Sequence, residues 1–230
     1  MTVKLNNLDP KTPNKVVPLN HDDPRYTRML ADLQGNILKG HGRDHSLHIF
    51  LKFKKTHPST KAWIAKFSDR ITSATQQRIE ATKRKKTTKS WKETTFINFF
   101  LSSSGYHHLG FAKNQIPSDL RFRKGMKESG HSLNDPGPKT WEPQYQDEIH
   151  AMILLASSDL RDLTIEELKL IKSINDSSHA LEIIHIERGK VIRNEHGTAI
   201  EHFGYVDGRS QPLFIKEDVE AQRRREGDDR

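Results

Sequence analysis

Hydrophobic and polar positions change rhythm several times along the chain, and each rhythm predicts an element. From His45 to Phe53 they alternate, with Leu47, Ile49, Leu51 and Phe53 on one face, the signature of a half-buried strand. His57-Pro58-Ser59-Thr60 then opens a helical segment whose Trp63, Ile64, Phe67, Ile71 and Ala74 share one apolar face. Thr95 to Leu101 is apolar nearly throughout and reads as a second strand. Ser102-Ser103-Ser104-Gly105 turns into a short helical piece with Tyr106, Leu109 and Phe111, and residues 112–146 follow as a long Gly- and Pro-rich excursion holding Trp141. A third strand is expected from Ile149 to Ala156. Ser157-Ser158-Asp159 caps a helix with Leu160, Leu163, Leu168 and Ile171, and the β-branched run Leu181 to Ile192 is a fourth strand.

Without the inserted short helix the order is β-α-β-β-α-β. That is an α+β, ferredoxin-like arrangement: a four-stranded antiparallel sheet with helices on one face. The fold hosts many functions and names none. Residues 1–32 carry Pro10, Pro13, Pro18 and Pro24 and read as an extended N-terminal arm. Residues 33–215 form the domain, and 216–230 form a charged C-terminal tail.

Composition narrows the classes. Hydrophobic residues make up 33% of the 230, charged residues 30%, and there is no cysteine, so disulfides, thiol chemistry and thiolate-ligated haem are excluded. The start of the chain lacks the apolar core of a secretory signal and no run approaches a membrane span, so a cytoplasmic location without membrane contact is expected. The net charge of +8 raises nucleic-acid binding. Much of the excess sits in Lys83-Arg84-Lys85-Lys86 with Lys89 and Lys92, which suits a helix C-terminus, and no aromatic-and-basic recognition motif accompanies it. Nucleic acid is therefore set aside. Of the 13 histidines, His45 and His48 point to opposite faces of a strand and the adjacent His107 and His108 diverge on a helix, so no metal site is assigned.

Two motifs carry the functional information. His202-Phe203-Gly204-Tyr205-Val206-Asp207-Gly208-Arg209-Ser210-Gln211-Pro212 follows the last strand and places one carboxylate in a glycine-rich, proline-closed loop. Taken alone, Asp207-Gly208 is also a common turn. Near the other end, Leu33-Gln34-Gly35-Asn36-Ile37-Leu38-Lys39-Gly40-His41-Gly42-Arg43 supplies turns into the first strand, with Asn36 stabilising one through its side chain. Together, and in this order, they resemble the two signatures of the dye-decolourising peroxidases, a family of haem enzymes.

The resemblance implies haem b as cofactor, hydrogen peroxide as oxidant and bulky aromatic reductants such as dyes or phenols. It implies Asp207 as the catalytic acid-base residue and a haem-handling loop of Gly204, Asp207, Gly208, Arg209 and Ser210. Arg209 stands where that family more usually has an apolar residue. Members of the family carry two ferredoxin-like halves, and the second supplies the proximal histidine and an arginine beside the distal Asp. This chain resembles only the first half, and no residue in it matches either. His185, His196 and His202 lie near the Asp207 loop but in the half that covers the other side of haem. The expectation is therefore an incomplete or truncated peroxidase, working as a homo-oligomer or with a complementary second-half chain. The alternative is a non-catalytic binding or interaction module that has kept the fold and lost haem.

Overall fold

The structure is a computed structural model describing residues 18–54, 57–86, 93–177, 179–206 and 212–226. Its centre is a sheet of β1 (His45–Phe53), β2 (Phe96–Leu101), β3 (Ala151–Ser157) and β4 (Leu181–Lys190), in the order β2-β3-β1-β4 with every neighbouring pair antiparallel. This is the strand order of the ferredoxin-like arrangement, so the α+β expectation holds.

The alternation of β1 sends Leu47, Ile49, Leu51 and Phe53 into the core, where they are nearly inaccessible. Ile97 of β2 and Ala151, Ile153 and Leu155 of β3 join them. Helix α2 (His57–Ser68) covers this face with Trp63 and Phe67, whose rings stack 5.0 Å apart. Helix α7 (Leu160–Asn175) covers it with Leu163, Leu170 and Ile174. The indole N–H of Trp63 donates to the Ser173 hydroxyl at 3.1 Å, tying the two helices together. Asp159 caps α7 by accepting from the backbone N–H of Arg161 at 2.7 Å, a contact typically worth about 1 kcal/mol. A bulge between Phe50 and Leu51 shifts the β1–β4 register, so that Phe50 faces His185 and Leu51 faces Ile183.

Five parts of the chain differ from the expectations. The single helix expected through Ala74 is two, α2 and α3 (Ala74–Lys86). The chain leaves helical geometry between them because Thr72 pairs with β2. Its N–H donates to the Ile97 carbonyl, and its hydroxyl accepts from the Ile97 N–H. Ser73 then accepts from Gln76 N–H in the first turn of α3. The 112–146 excursion is largely helical: after α4 (Ser103–His108) come α5 (Leu120–Leu133), capped by Asp119 and kinked at Gly125, and α6 (Pro143–Gln146). The arm carries α1 (Thr27–Asp32), anchored by buried Leu30. The charged tail forms α8 (Lys216–Glu226), with Glu217 and Asp218 in its first turn, where carboxylates favour the positive pole. β4 stops at Lys190 and is followed by a small hairpin, β5 (Ile192–Arg193) and β6 (Ala199–Ile200).

Candidate active site around the Gly204 loop

The loop after the hairpin is built by backbone hydrogen bonds. Ile200 bridges to Val206, Glu201 N–H donates to the Tyr205 carbonyl at 2.8 Å, and Gly204 N–H donates to the Glu201 carbonyl at 2.9 Å. Gly204 closes this turn at φ +93°, a geometry that side-chain-bearing residues rarely adopt. Phe203 and Tyr205 flank it at 74% and 75% exposure, with ring centroids 5.8 Å apart. On the far side, Leu213 and Phe214 are also exposed, and Ile215 is buried. Ile215 bridges in parallel to Leu19: Leu19 N–H donates to the Phe214 carbonyl and Lys216 N–H to the Leu19 carbonyl. The segment is therefore pinned at both ends, by the Ile200–Val206 bridge and by the isolated bridge to Leu19 near the opposite end of the chain. Asp207, Gly208, Arg209, Ser210 and Gln211 lie between the anchors and outside the described residues. Of the expected haem-handling residues, only Gly204 is described.

The opening motif docks against the outer edge of the sheet. Gln34 completes the β2 edge: its amide donates to the Phe99 carbonyl at 3.0 Å and its carbonyl accepts from Phe99 N–H at 2.9 Å. Gly35 is required by closeness, since a Cβ there would lie 2.7 Å from the Phe96 ring. Asn36 accepts from His41 N–H at 3.0 Å, the side-chain-stabilised turn expected from the sequence. Arg43 then drops into a buried pocket and pairs with Glu80 of α3 at 2.8 Å and with Glu93. Thr94 donates to Glu80 and Ser158 to Glu93, so the two carboxylates are themselves held. The motif thus locks α3, β2 and the start of β1 to one another.

Sequence reasoning missed two groups. On the sheet face opposite α2 and α7, the Tyr145 hydroxyl donates to Glu187 at 2.5 Å, and His185 Nε2 lies 3.1 Å from the same oxygen. Burial and that carboxylate push the Tyr145 hydroxyl up to about 12, and the two hydrogen bonds hold Glu187 below the usual range. His48 lies beside them in the register, opposite Glu187, and its burial pulls it below the ordinary imidazole value. The second group is His150, buried at the mouth of β3. Its Nδ1 accepts the Phe53 N–H at 2.8 Å, and its Nε2 faces Glu148 at 3.2 Å. Its ring lies 4.7 Å from that of His108. A lone histidine beside an apolar strand was the only available signal. His107 and His108 do diverge: His107 lines a groove, while His108 packs on His150. His196 and His202 are exposed. Among the described residues no group of three His, Cys, Asp or Glu could hold a metal ion, and no helix is long and apolar enough to cross a membrane.

A ferredoxin-like sheet, a docked glycine-rich opening motif and a pinned loop after the last strand define a class, and comparison with known proteins places the chain within it. Residues 32–191 match the family model described as the DyP dimeric alpha+beta barrel domain, and the chain belongs to the dye-decolourising peroxidase family. It is 35% identical over 197 residues to the multifunctional dye peroxidase DyP2 of an Amycolatopsis strain, covering 85% of this chain and 40% of that protein. It is 30% identical to peroxidase 2 of Mycetinis scorodonius, over 80% of this chain and 34% of the relative. The crystal structure of a DyP-type peroxidase from Anabaena sp. superposes with a TM-score of 0.84 at 44% identity, over 92% of this chain and 46% of that one. The chain thus spans less than half the length of these relatives.

Proposed function

We propose that this chain furnishes the Asp207 side of a haem-dependent peroxidase site, and that the residue that would hold the iron comes from a complementary half. The family membership together with the doubly anchored Gly204 loop supports this reading. Phe203 and Tyr205 before Asp207, and Leu213 and Phe214 after it, are exposed apolar side chains that suit the edge of a flat apolar cofactor. Exposed large apolar side chains, when contiguous, usually mark a surface that meets a partner or ligand. Haem, when bound, supplies the redox-active iron at which peroxide gives up its oxygen–oxygen bond.

The role of the chain's own residues is proton handling. Hydrogen peroxide takes two electrons and two protons to become two waters, and two one-electron oxidations of bulky aromatic molecules supply the electrons. The Asp207 carboxylate takes the proton from one peroxide oxygen and returns it to the other, which leaves as water. A carboxylate does this best when partial desolvation raises it towards the working pH. The family resemblance assigns Gly204, Gly208, Arg209 and Ser210 to the same haem-handling loop as Asp207.

Haem titration followed by absorbance tests this reading. The chain alone is expected to bind haem weakly and turn over little dye, because iron without a strong axial donor loses affinity and electron push. With the complementary half supplied, stoichiometric haem and peroxide-dependent dye oxidation are expected. Failure of the complemented protein to take up haem would favour the alternative, a binding module on the same fold that has lost the cofactor.

A further inference from the structure

The opening motif makes a second contact, which its docking on β2 does not explain. Lys39 reaches from it to α8, where its ammonium pairs with Asp218 at 2.5 Å; the two side chains are 50% and 25% exposed. Asp218 lies in the first turn of α8, and its N–H donates to the Ile215 carbonyl at 3.1 Å. Lys39 is itself placed by α3. The Gln77 amide donates to the Lys39 and Gly40 carbonyls, each at 3.0 Å, and its oxygen accepts the Asn36 N–H at 3.0 Å. The next residue of α3, Arg78, pairs at 2.6 Å with Asp22 of the arm, shortly after the Leu19 that bridges to Ile215. Two neighbouring side chains of one helix therefore grip both segments that hold residues 214–218.

The other end of the Gly204 loop shows why this grip matters. Its near anchor is the β5–β6 hairpin, two residues per strand and separate from the main sheet, and a lone two-stranded hairpin is marginal in water. Firmness must therefore come from the far end. Helix α3 supplies it, because Glu80 is paired with buried Arg43 and Thr72, just before the helix, is bonded to β2. A half-exposed ion pair is worth little by itself. Here it falls on a segment already bonded to Leu19, and the backbone of its lysine is fixed by Gln77. We infer that Lys39 and Gln77 are positioning residues for the Gly204 loop. Lys39 acts through Asp218 and Gln77 through Lys39, so the two sequence motifs from opposite ends of the domain form one clasp. A supporting shell of this kind is what a site carried on a loop requires. The catalytic consequence rests on the role proposed for Asp207; the mechanical link stands apart from it.

Hydrogen exchange of the full chain, read by mass spectrometry, tests the link without haem. In Lys39→Met, exchange across residues 212–219 should rise about three-fold, the loss of one such pair, while β1 and β3 keep the parent rate. Asp218→Asn should do the same, and the double variant should show no further rise, because both substitutions remove one interaction. Lys39→Arg, which keeps the charge, should retain the parent rate. Gln77→Glu keeps the acceptor for Asn36 and loses the donation to the two carbonyls. It should loosen residues 212–219 about ten-fold, although Gln77 forms no hydrogen bond with α8 among the described residues. In the haem-loaded complemented protein, Lys39→Met should lower kcat/KM for peroxide about three-fold, and Lys39→Arg should recover it. Unchanged exchange at 212–219 in the single variants, or effects that multiply in the double variant, would overturn the inference. So would loosened residues 212–219 with an unchanged peroxide rate, in a protein that Asp207→Asn does slow. If Asp207→Asn is silent as well, the role of Asp207 fails, and the exchange data still decide the link.

Discussion

At the scale of single residues, fit and charge decide what each site tolerates. Gly35→Ala would place a methyl group against the Phe96 ring, which packs under the opening motif. Overpacking of this kind costs about 1–3 kcal/mol, so the urea midpoint should fall with little change in slope. Arg43 is held in a buried pocket by Glu80 and Glu93. Removing one partner of such a cluster strands the others, and Arg43→Ala should cost about 3–5 kcal/mol, measurable by the same denaturation. Buried His150 and half-buried His41 and His48 give a pH signature. His150, His41 and His48 are all lowered from 6.5, chiefly by burial. The folded chain therefore resists protonation that the unfolded chain accepts. Stability should be intact above about pH 6.5 and fall as pH drops below it towards the lowered folded values. His150→Gln, which can still accept the Phe53 N–H, should flatten that slope. A pH-independent midpoint between 7 and 5 would contradict it.

At the scale of elements, the sheet and α7 were legible because each rests on a local signal. Strict alternation marks β1, β-branched content marks β4, and Asp159 caps α7 in front of an apolar stripe. The break between α2 and α3 was not legible. It arises from Thr72 reaching across to Ile97, a pairing that no local pattern reveals, whereas the run Trp63 to Ala74 looks continuously helical. Helix α5 was hidden by Gly125 and Gly130, which read as loop residues. The fold accommodates Gly125 as a kink and Gly130 as a buried helical position. The site was half legible: the Gly204 motif stood out in the sequence, but its anchoring by Leu19 and Ile215 joins opposite ends of the chain. That pairing makes the first described residues structural. Deleting residues 1–20 should expose Ile215, destabilise α8 and speed proteolysis near Lys216, while the β1–β3 amides keep their slow hydrogen exchange.

At the scale of the whole molecule, a chain of net charge +8 presents exposed apolar side chains at Phe203, Tyr205, Leu213 and Phe214. Like charge opposes self-association and apolar burial favours it. Association should therefore strengthen as salt screens the repulsion, and sedimentation across a salt series reads this directly. A monomer at all salt concentrations would mean that the loop face is already covered within one chain. The central claim concerns Asp207, and a chimera tests it most directly: this chain in place of the matching half of the Anabaena peroxidase, which superposes on it with a TM-score of 0.84. Stopped-flow mixing with peroxide then compares the chimera with its Asp207→Asn form, in which the amide keeps the shape but cannot accept the proton. The account predicts a haem-loaded chimera that reacts with peroxide and slows by about 10²–10⁴-fold on substitution. An active chimera with an unchanged rate would contradict it, and so would a folded, haem-loaded chimera that does not react.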